Sequence, residues 1–199
     1  MLANLRGNIL SAVDVETTGT DFGYHEILQI AVVPLDHHMK PSKEHKFFYR
    51  NIAPKHPERQ SVEARVKTKL DANYFARMYP SQEQVANHFE EWFISLNLPF
   101  EKKLAPLAHN WAFERGFLTQ WLGIDGFDSI FHFHPRDTML AGQLINDIYT
   151  WQGQNLPFHN ISLTGMCSRF EIPLDNAHDA LADCIGTAEL YKSLMSCFG

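Results

Sequence analysis

The 199-residue sequence predicts an α/β domain: a mixed central β-sheet, its first three strands antiparallel, flanked by α-helices. Two patterns carry that expectation. Three apolar runs near the N-terminus are joined by short, turn-rich connections, as in an antiparallel meander. Beyond them, apolar runs alternate with stretches whose apolar residues recur at helical spacing. No internal repeat, low-complexity stretch or Pro/Gly/Ser linker divides the chain, so residues 1–199 read as one domain.

The elements follow in order. Residues 9–15 are an apolar run ending in acids and read as a buried strand. Residues 27–35 are a second, closed by Pro34 and Asp36; Gly19 and Gly23 supply turn chemistry between the two. Residues 45–52 alternate enough to be a third strand. Residues 60–78 read as a broken helix and residues 81–96 as a cleaner one, with Ser81 and Gln84 in capping-box positions and Val85, Phe89, Trp92, Phe93 and Leu96 as its apolar stripe. A fourth strand (104–109), a helix (112–122), a fifth strand (130–134) and a helix capped by Asp137 (138–149) come next. Helices over 162–170 and 179–197 complete the chain.

Composition narrows the class of protein. Hydrophobic residues are 45% and charged residues 20%, close to a folded average, which excludes disordered and fibrous chains. No stretch approaches the roughly 18 apolar residues of a membrane-spanning helix. The first thirteen residues lack a basic n-region and a small-residue cleavage site, so no secretory signal is expected. Cys167, Cys184 and Cys197, odd in number and without CxxC spacing, fit small buried hydrophobes in a reduced cytoplasmic protein rather than disulfides or zinc ligands.

The net charge is −6, which by itself speaks against a polyanionic partner. Its distribution does not. Residues 40–77 hold ten basic residues (Lys40, Lys43, Lys46, Arg50, Lys55, Arg59, Arg65, Lys67, Lys69, Arg77) against four acids, leaving a strongly acidic remainder. A basic arm beside an acidic body suits phosphate steering next to a metal pocket. A solvated face of mixed charge accounts for the same numbers.

Three short segments could carry chemistry. Asp14 and Glu16 lie two apart at the end of the first strand, so they share a face while Val13 and Val15 point the other way, into the core. Carboxylates about 7 Å apart on one strand face repel unless a cation lies between them, and a divalent ion with oxygen ligands is the natural partner. Most such pairs are merely solvated. The second segment is HNWAFE, residues 109–114, where Glu114 falls in the first turn of a helix, favoured there by the macrodipole whatever its role. The third is HDALAD, residues 178–183. Asp183 sits among Leu181, Ala182, Cys184 and Ile185, a costly setting for a lone carboxylate, and His178 lies at the mouth of the same helix. An exposed aspartate and a loop histidine are the ordinary alternatives.

Together the segments resemble the three motifs of the DEDDh family of 3′→5′ exonucleases, which includes proofreading subunits of DNA polymerases and the tRNA-trimming RNase T. The first motif reads DVETTG (14–19), followed by EILQIAVV (26–33). The middle one reads AHNWAFERGFL (108–118), and RDTMLAG (136–142) resembles the family's helix-opening segment. The last reads AHDALADCIGTAELY (177–191), preceded by SLTGMCSRFEI (162–172). The likeness covers nearly the whole chain in the right order. One position departs: the family's middle acid is aspartate, and Glu114 is longer by one methylene, roughly 1.5 Å of reach.

The resemblance implies an RNase H-like fold and a two-metal phosphodiesterase. Asp14 would bridge two Mg²⁺ or Mn²⁺ ions, with Glu16, Asp183 and Glu114 completing the ligand set and His178 acting as general base. Thr17 and Thr18, which follow the first glutamate, would line the pocket for the 3′-terminal nucleotide. His109 and Asn110 are further candidate substrate contacts, although Asn110 could equally tie its own turn. Phe22 or Tyr24 would stack on a base or simply pack at the rim. The implied reaction releases nucleoside monophosphates from single-stranded 3′ ends of nucleic acid, with DNA favoured over RNA. An RNase T-like exoribonuclease is one alternative, and a weakened nuclease fold kept as a nucleic-acid-binding or interaction module is another, favoured only by Glu114. No P-loop or GxGxxG motif supports a kinase or dehydrogenase. No membrane partner is expected. The family admits a homodimer. The sequence stops at Gly199 soon after its last helix, so no polymerase-binding tail is expected.

Overall fold

A computed structural model describes residues 5–174 and 176–197. The chain end, on which the expectation about a tail falls, lies outside the described residues. Strands β1 (Ile9–Thr17), β2 (Ile27–Pro34) and β3 (Phe48–Asn51) pair antiparallel, as expected from their short connections. Strands β4 (Leu104–Ala108) and β5 (Arg136–Asp137) extend the other edge of β1 in parallel, giving the order β3-β2-β1-β4-β5. All eight residues of β2 are buried, because helices cover both faces of the sheet.

The broken helix over 60–78 is two helices, α1 (Val62–Thr68) and α2 (Ala72–Met78). Lys69 ends the first with a left-handed φ of 61°, and Asp71 caps the second. Helix α3 (Gln82–Ser95) opens with both capping-box bonds in place, Gln84 N–H to Ser81 Oγ and Ser81 N–H to the Gln84 carboxamide. Helix α4 (Trp111–Ile130) outruns its expected end. The chain bends at Gly123, φ 73°, a conformation glycine adopts freely, and then winds on.

That continuation corrects the fifth strand. Ile130 ends α4, and Phe131 makes only an isolated bridge to Leu104; the strand is Arg136–Asp137. The apolar residues there are buried by aromatic packing, Phe127 against Phe131 at 5.1 Å and both against Trp111, which a sequence run cannot distinguish from a buried strand. Helices α5 (Thr138–Trp151), α6 (Leu163–Arg169) and α7 (Ala180–Ser196) lie within a residue or two of expectation.

Each face of the sheet has its own core. Val13, Val15, Ile30, Val32 and Phe48 pack with Phe89, Phe117 and Leu118 of α3 and α4. On the other face, Leu10, Ala12, Ala31 and Ala105 meet Ala180, Cys184 and Ala188 of α7. Small side chains on both surfaces let α7 lie close to β1 and β2, which brings its N-terminal turn to the exit of β1. Among the described residues no helix is long and apolar enough to cross a membrane.

Candidate active site

Asp14 and Glu16 continue the row begun by Leu10 and Ala12, so they face α7, while Val13 and Val15 enter the opposite core as the alternation predicts. A bulge between Glu16 and Thr17 ends the regular pairing with β2 and turns the chain away from Glu16. From α7, Asp183 faces the same space, and its Oδ2 accepts the His178 N–H at 3.2 Å. Ligand atoms of Glu16, His178 and Asp183 all lie within 4.8 Å of one another. Glu114 reaches in from the first turn of α4 and is only 3% exposed.

The electrostatics of this cluster are those of buried acids that outnumber the one neighbouring cation, Lys67. Burial, reinforced by Glu16, Asp183 and Glu114, holds the Asp14 carboxyl far above the usual carboxylate range. Burial and then Asp183 push Glu16 up to about 7. Burial raises Asp183 to about 6, with Asp179 adding and the His178 N–H opposing. Glu114 is raised chiefly by burial, then by Asp137 and Glu16. Three buried carboxylate oxygens among the described residues, Asp14 Oδ2, Glu114 Oε2 and Asp183 Oδ1, have no hydrogen-bond partner. Orphaned buried oxygens of this kind are costly, and all three belong to this one cluster. Hard oxygen donors with an imidazole beside them, three of the oxygens lacking a proton donor, fit a divalent cation.

His178 itself has a left-handed φ of 71°, sparsely populated for a residue with a side chain. Burial, then Lys67 and Lys69, lower its pKa. These lysines belong to the basic arm, and Lys67 is the cation that opposes the upward shifts of Asp14, Glu16 and Asp183. The inner end of the arm therefore borders the site. Farther along the arm, Arg65 pairs with Asp71 at 2.5 Å, and Arg59 lies over Tyr24 at 4.8 Å.

The expected substrate contacts fare differently. Thr18 is wholly buried; its hydroxyl accepts from Glu26 N–H and its carbonyl from Ser61 N–H, so it pins the β1–β2 loop to the start of α1. The Thr17 hydroxyl donates to the Gly19 carbonyl at 2.6 Å. His109 has both ring nitrogens occupied, on Thr138 Oγ at 2.8 Å and the Ile161 carbonyl at 2.9 Å, and so ties β4 to α5 and the segment before α6. These three side chains hold the framework through bonds that alternation and spacing could not anticipate. Asn110 takes a left-handed φ of 84°, which asparagine tolerates, and its side chain does not cap α4. Asp137 does that work instead: it caps α5 as predicted and also accepts from the Asn110 and Trp111 N–H groups. Gly19 earns its place in the first motif because the His25 ring lies where a Cβ would stand, 2.3 Å away. Phe22 and Tyr24 are half exposed on the same loop, and within the arm Phe48 and Phe75 enter the core while Phe47 is half exposed.

A family profile described as exonuclease, RNase_T, matches residues 11–114, from β1 to Glu114. No curated protein sequence matches the chain. Among solved structures, the fold is similar to that of E. coli ExoI in a zinc-bound complex with single-stranded DNA, with a TM-score of 0.75 and 15% identity over 97% of this chain and 41% of that one. It is similar to cell-death related nuclease 4 (CRN-4), TM-score 0.69 and 18% identity, over 96% of this chain and 64% of that one. It is similar to the nuclease domain of 3′hExo, described as a DEDDh family member bound to rAMP, TM-score 0.65 and 15% identity, over 97% and 94% of the two chains. The chain thus spans about two fifths of the ExoI chain. The mixed sheet with helices on both faces is the RNase H-like exonuclease fold.

Proposed function

The chain belongs to the RNase_T exonuclease family, and from that premise we propose that it is a DEDDh-type, metal-dependent 3′→5′ exonuclease that releases nucleoside monophosphates from single-stranded DNA ends. One observation carries the reading: Glu16 and Asp183 gather with His178 within 4.8 Å, and the neighbouring buried acids, Asp14 and Glu114, each keep an oxygen without a hydrogen-bond partner, as Asp183 does.

Asp14, Glu16, Asp183 and Glu114 would hold the divalent ions, Mg²⁺ or Mn²⁺, two in number. When bound, these neutralise the site, lower the pKa of a water and polarise the scissile phosphate. The protein's own groups do the rest. His178, kept neutral near pH 7 by burial and the neighbouring lysines, accepts the water's proton on a ring nitrogen. Lys67 and Lys69 draw the phosphate backbone toward acids that would otherwise repel it. The Asn110 carboxamide, at the entrance to α4 and not used to cap it, is one polar contact for substrate. The described residues share one sheet, which supports a single catalytic domain over residues 1–199, and the free cysteines suit a reducing, cytoplasmic setting.

Glu114 stays in the acidic cluster despite its extra methylene, which favours an active enzyme over a binding module. The rAMP-bound relative favours a second reading, an exoribonuclease. The deciding test is a 5′-labelled oligonucleotide, as DNA and as RNA, incubated with Mg²⁺ or Mn²⁺ beside an Asp14→Ala control. Stepwise 3′ shortening of DNA by the wild type alone is expected. Intact DNA in every lane would end the proposal, and shortening confined to RNA would replace DNA as the substrate.

A further inference from the structure

We infer that Tyr49 and Gln29 are positioning residues of this site: they fasten the start of α7 to the sheet and thereby hold His178 beside Glu16 and Asp183. The inference rests on the nuclease reading of the site and adds two residues to which that reading gives no role.

The hydrogen bonds form a closed set. The Tyr49 hydroxyl, on β3, donates to Asp179 Oδ2 at 2.5 Å and accepts from Gln29 Nε2 at 2.9 Å. The same Nε2 donates to Asn51 Oδ1 at 2.8 Å. Gln29 Oε1, on β2, accepts the Ala180 N–H at 2.8 Å across a sequence separation of 151 residues. The other Asp179 oxygen accepts the Leu181 and Ala182 N–H groups, each at 3.1 Å, and the Asp179 carbonyl takes that of Asp183. The first amides of α7 are therefore satisfied by two side chains, one of them rooted in the sheet. An ordinary N-cap satisfies these donors from the helix's own chain and leaves the helix free to shift against its neighbours. Here the cap is itself anchored by Tyr49, and the helix start is anchored by Gln29.

The residue that needs this anchoring is His178, immediately before the cap. Its left-handed backbone is a strained choice that persists only where the surroundings over-determine it. Its one backbone tie to the site, N–H to Asp183 Oδ2, depends on where α7 begins. Gln29 is only 4% exposed, so its amide has no exchange with bulk water to lose by being locked there. Tyr49 and Gln29 act through Asp179 and Ala180, and Gln29 stands directly across the β1–β2 pair from Glu16.

Tyr49→Phe removes the hydroxyl and nothing else. At a temperature where the variant is folded, kcat is expected to fall roughly ten- to a hundredfold, the range a small misplacement of a reacting group produces, with KM within about twofold. Amide exchange at Leu181, Ala182 and Asp183 is expected to quicken by roughly tenfold, as for loss of one hydrogen bond to a charged group, while the amides around Leu190 keep their rates. Asp179→Ser is the companion variant, and it serves alone if Tyr49→Phe does not fold. It keeps one capping oxygen but lacks the second, which meets Tyr49, and the same kcat loss is expected. A kcat within twofold of wild type, or unchanged exchange in the first turn of α7, overturns the inference. A wild type without nuclease activity would remove the parent reading instead, and the exchange rates alone would then decide whether the anchor holds the helix.

Discussion

Stripping divalent metal from this protein should make it lose stability as the pH rises, the reverse of ordinary acid denaturation. Glu16 shows why. Its pKa is about 7 in the folded chain and 4.5 when unfolded. Below pH 4.5 the group is protonated in both states and contributes nothing unfavourable. Between 4.5 and 7 the unfolded chain releases the proton while the folded chain retains it, so stability falls with each unit and levels off above 7. At about 1.4 kcal/mol per unit, this one group takes away about 3 kcal/mol by pH 8. For a chain of this size that is a drop in Tm of roughly 6–12 °C. Asp183, raised to about 6, pushes the same way over a lower window. Mg²⁺ or Mn²⁺ should abolish the fall, because metal binding requires the ionised acids and stabilises the folded state by mass action. The assay is a thermal melt at pH 5, 6, 7 and 8, with chelator or with metal. Glu16→Gln sharpens it, since losing the charge should raise the chelated Tm at pH 8 and weaken the response to metal. A chelated Tm that is flat or rising over this range, with no response to metal, would refute the argument that these acids are held together for a cation.

Further expectations follow from the same geometry. His178→Ala should lower turnover by about 10²–10⁴-fold while Mn²⁺ and oligonucleotide binding persist; near-wild-type turnover would deny it the role of base. Activity should fall as salt rises, and Lys67→Ala should flatten the salt dependence by about 0.7 in log–log slope for a single lost contact to a single strand, measured as kcat/KM between low and physiological salt. Glu114→Asp withdraws the carboxylate by roughly 1.5 Å from a cluster assembled around the longer side chain, so metal affinity by calorimetry should weaken, and Glu114→Ala should weaken it more. Equal affinity in Glu114→Asp would mean that reach does not matter at this position.

Much of this arrangement was legible in the chain. The capping box at Ser81, the cap at Asp137 and the break between α1 and α2 are local, made by residues a few positions apart, and they stand where spacing put them. The acids at 14, 16, 114 and 183 were found because their order matches a known set of motifs. The fifth strand was misplaced because buried aromatic residues at a helix end and in a strand look alike in one dimension. Thr18 and His109 lie inside motifs, yet their polar atoms are used by Glu26, Thr138 and Ile161, partners that only folding brings near.

The sequence by itself determined the layers and the charges: strand and helix periodicities record which faces must be buried, and the acidic motifs record where negative charge is kept despite burial. The tertiary structure alone decided how those charges are held. The carboxylates face one another because small alanine side chains let α7 settle against β1. His178 keeps its strained backbone because Tyr49 and Gln29, more than a hundred residues away, satisfy the start of that helix. Hydrogen bonds of such long separation have no period and leave no local signature, so they become visible only when the chain is folded.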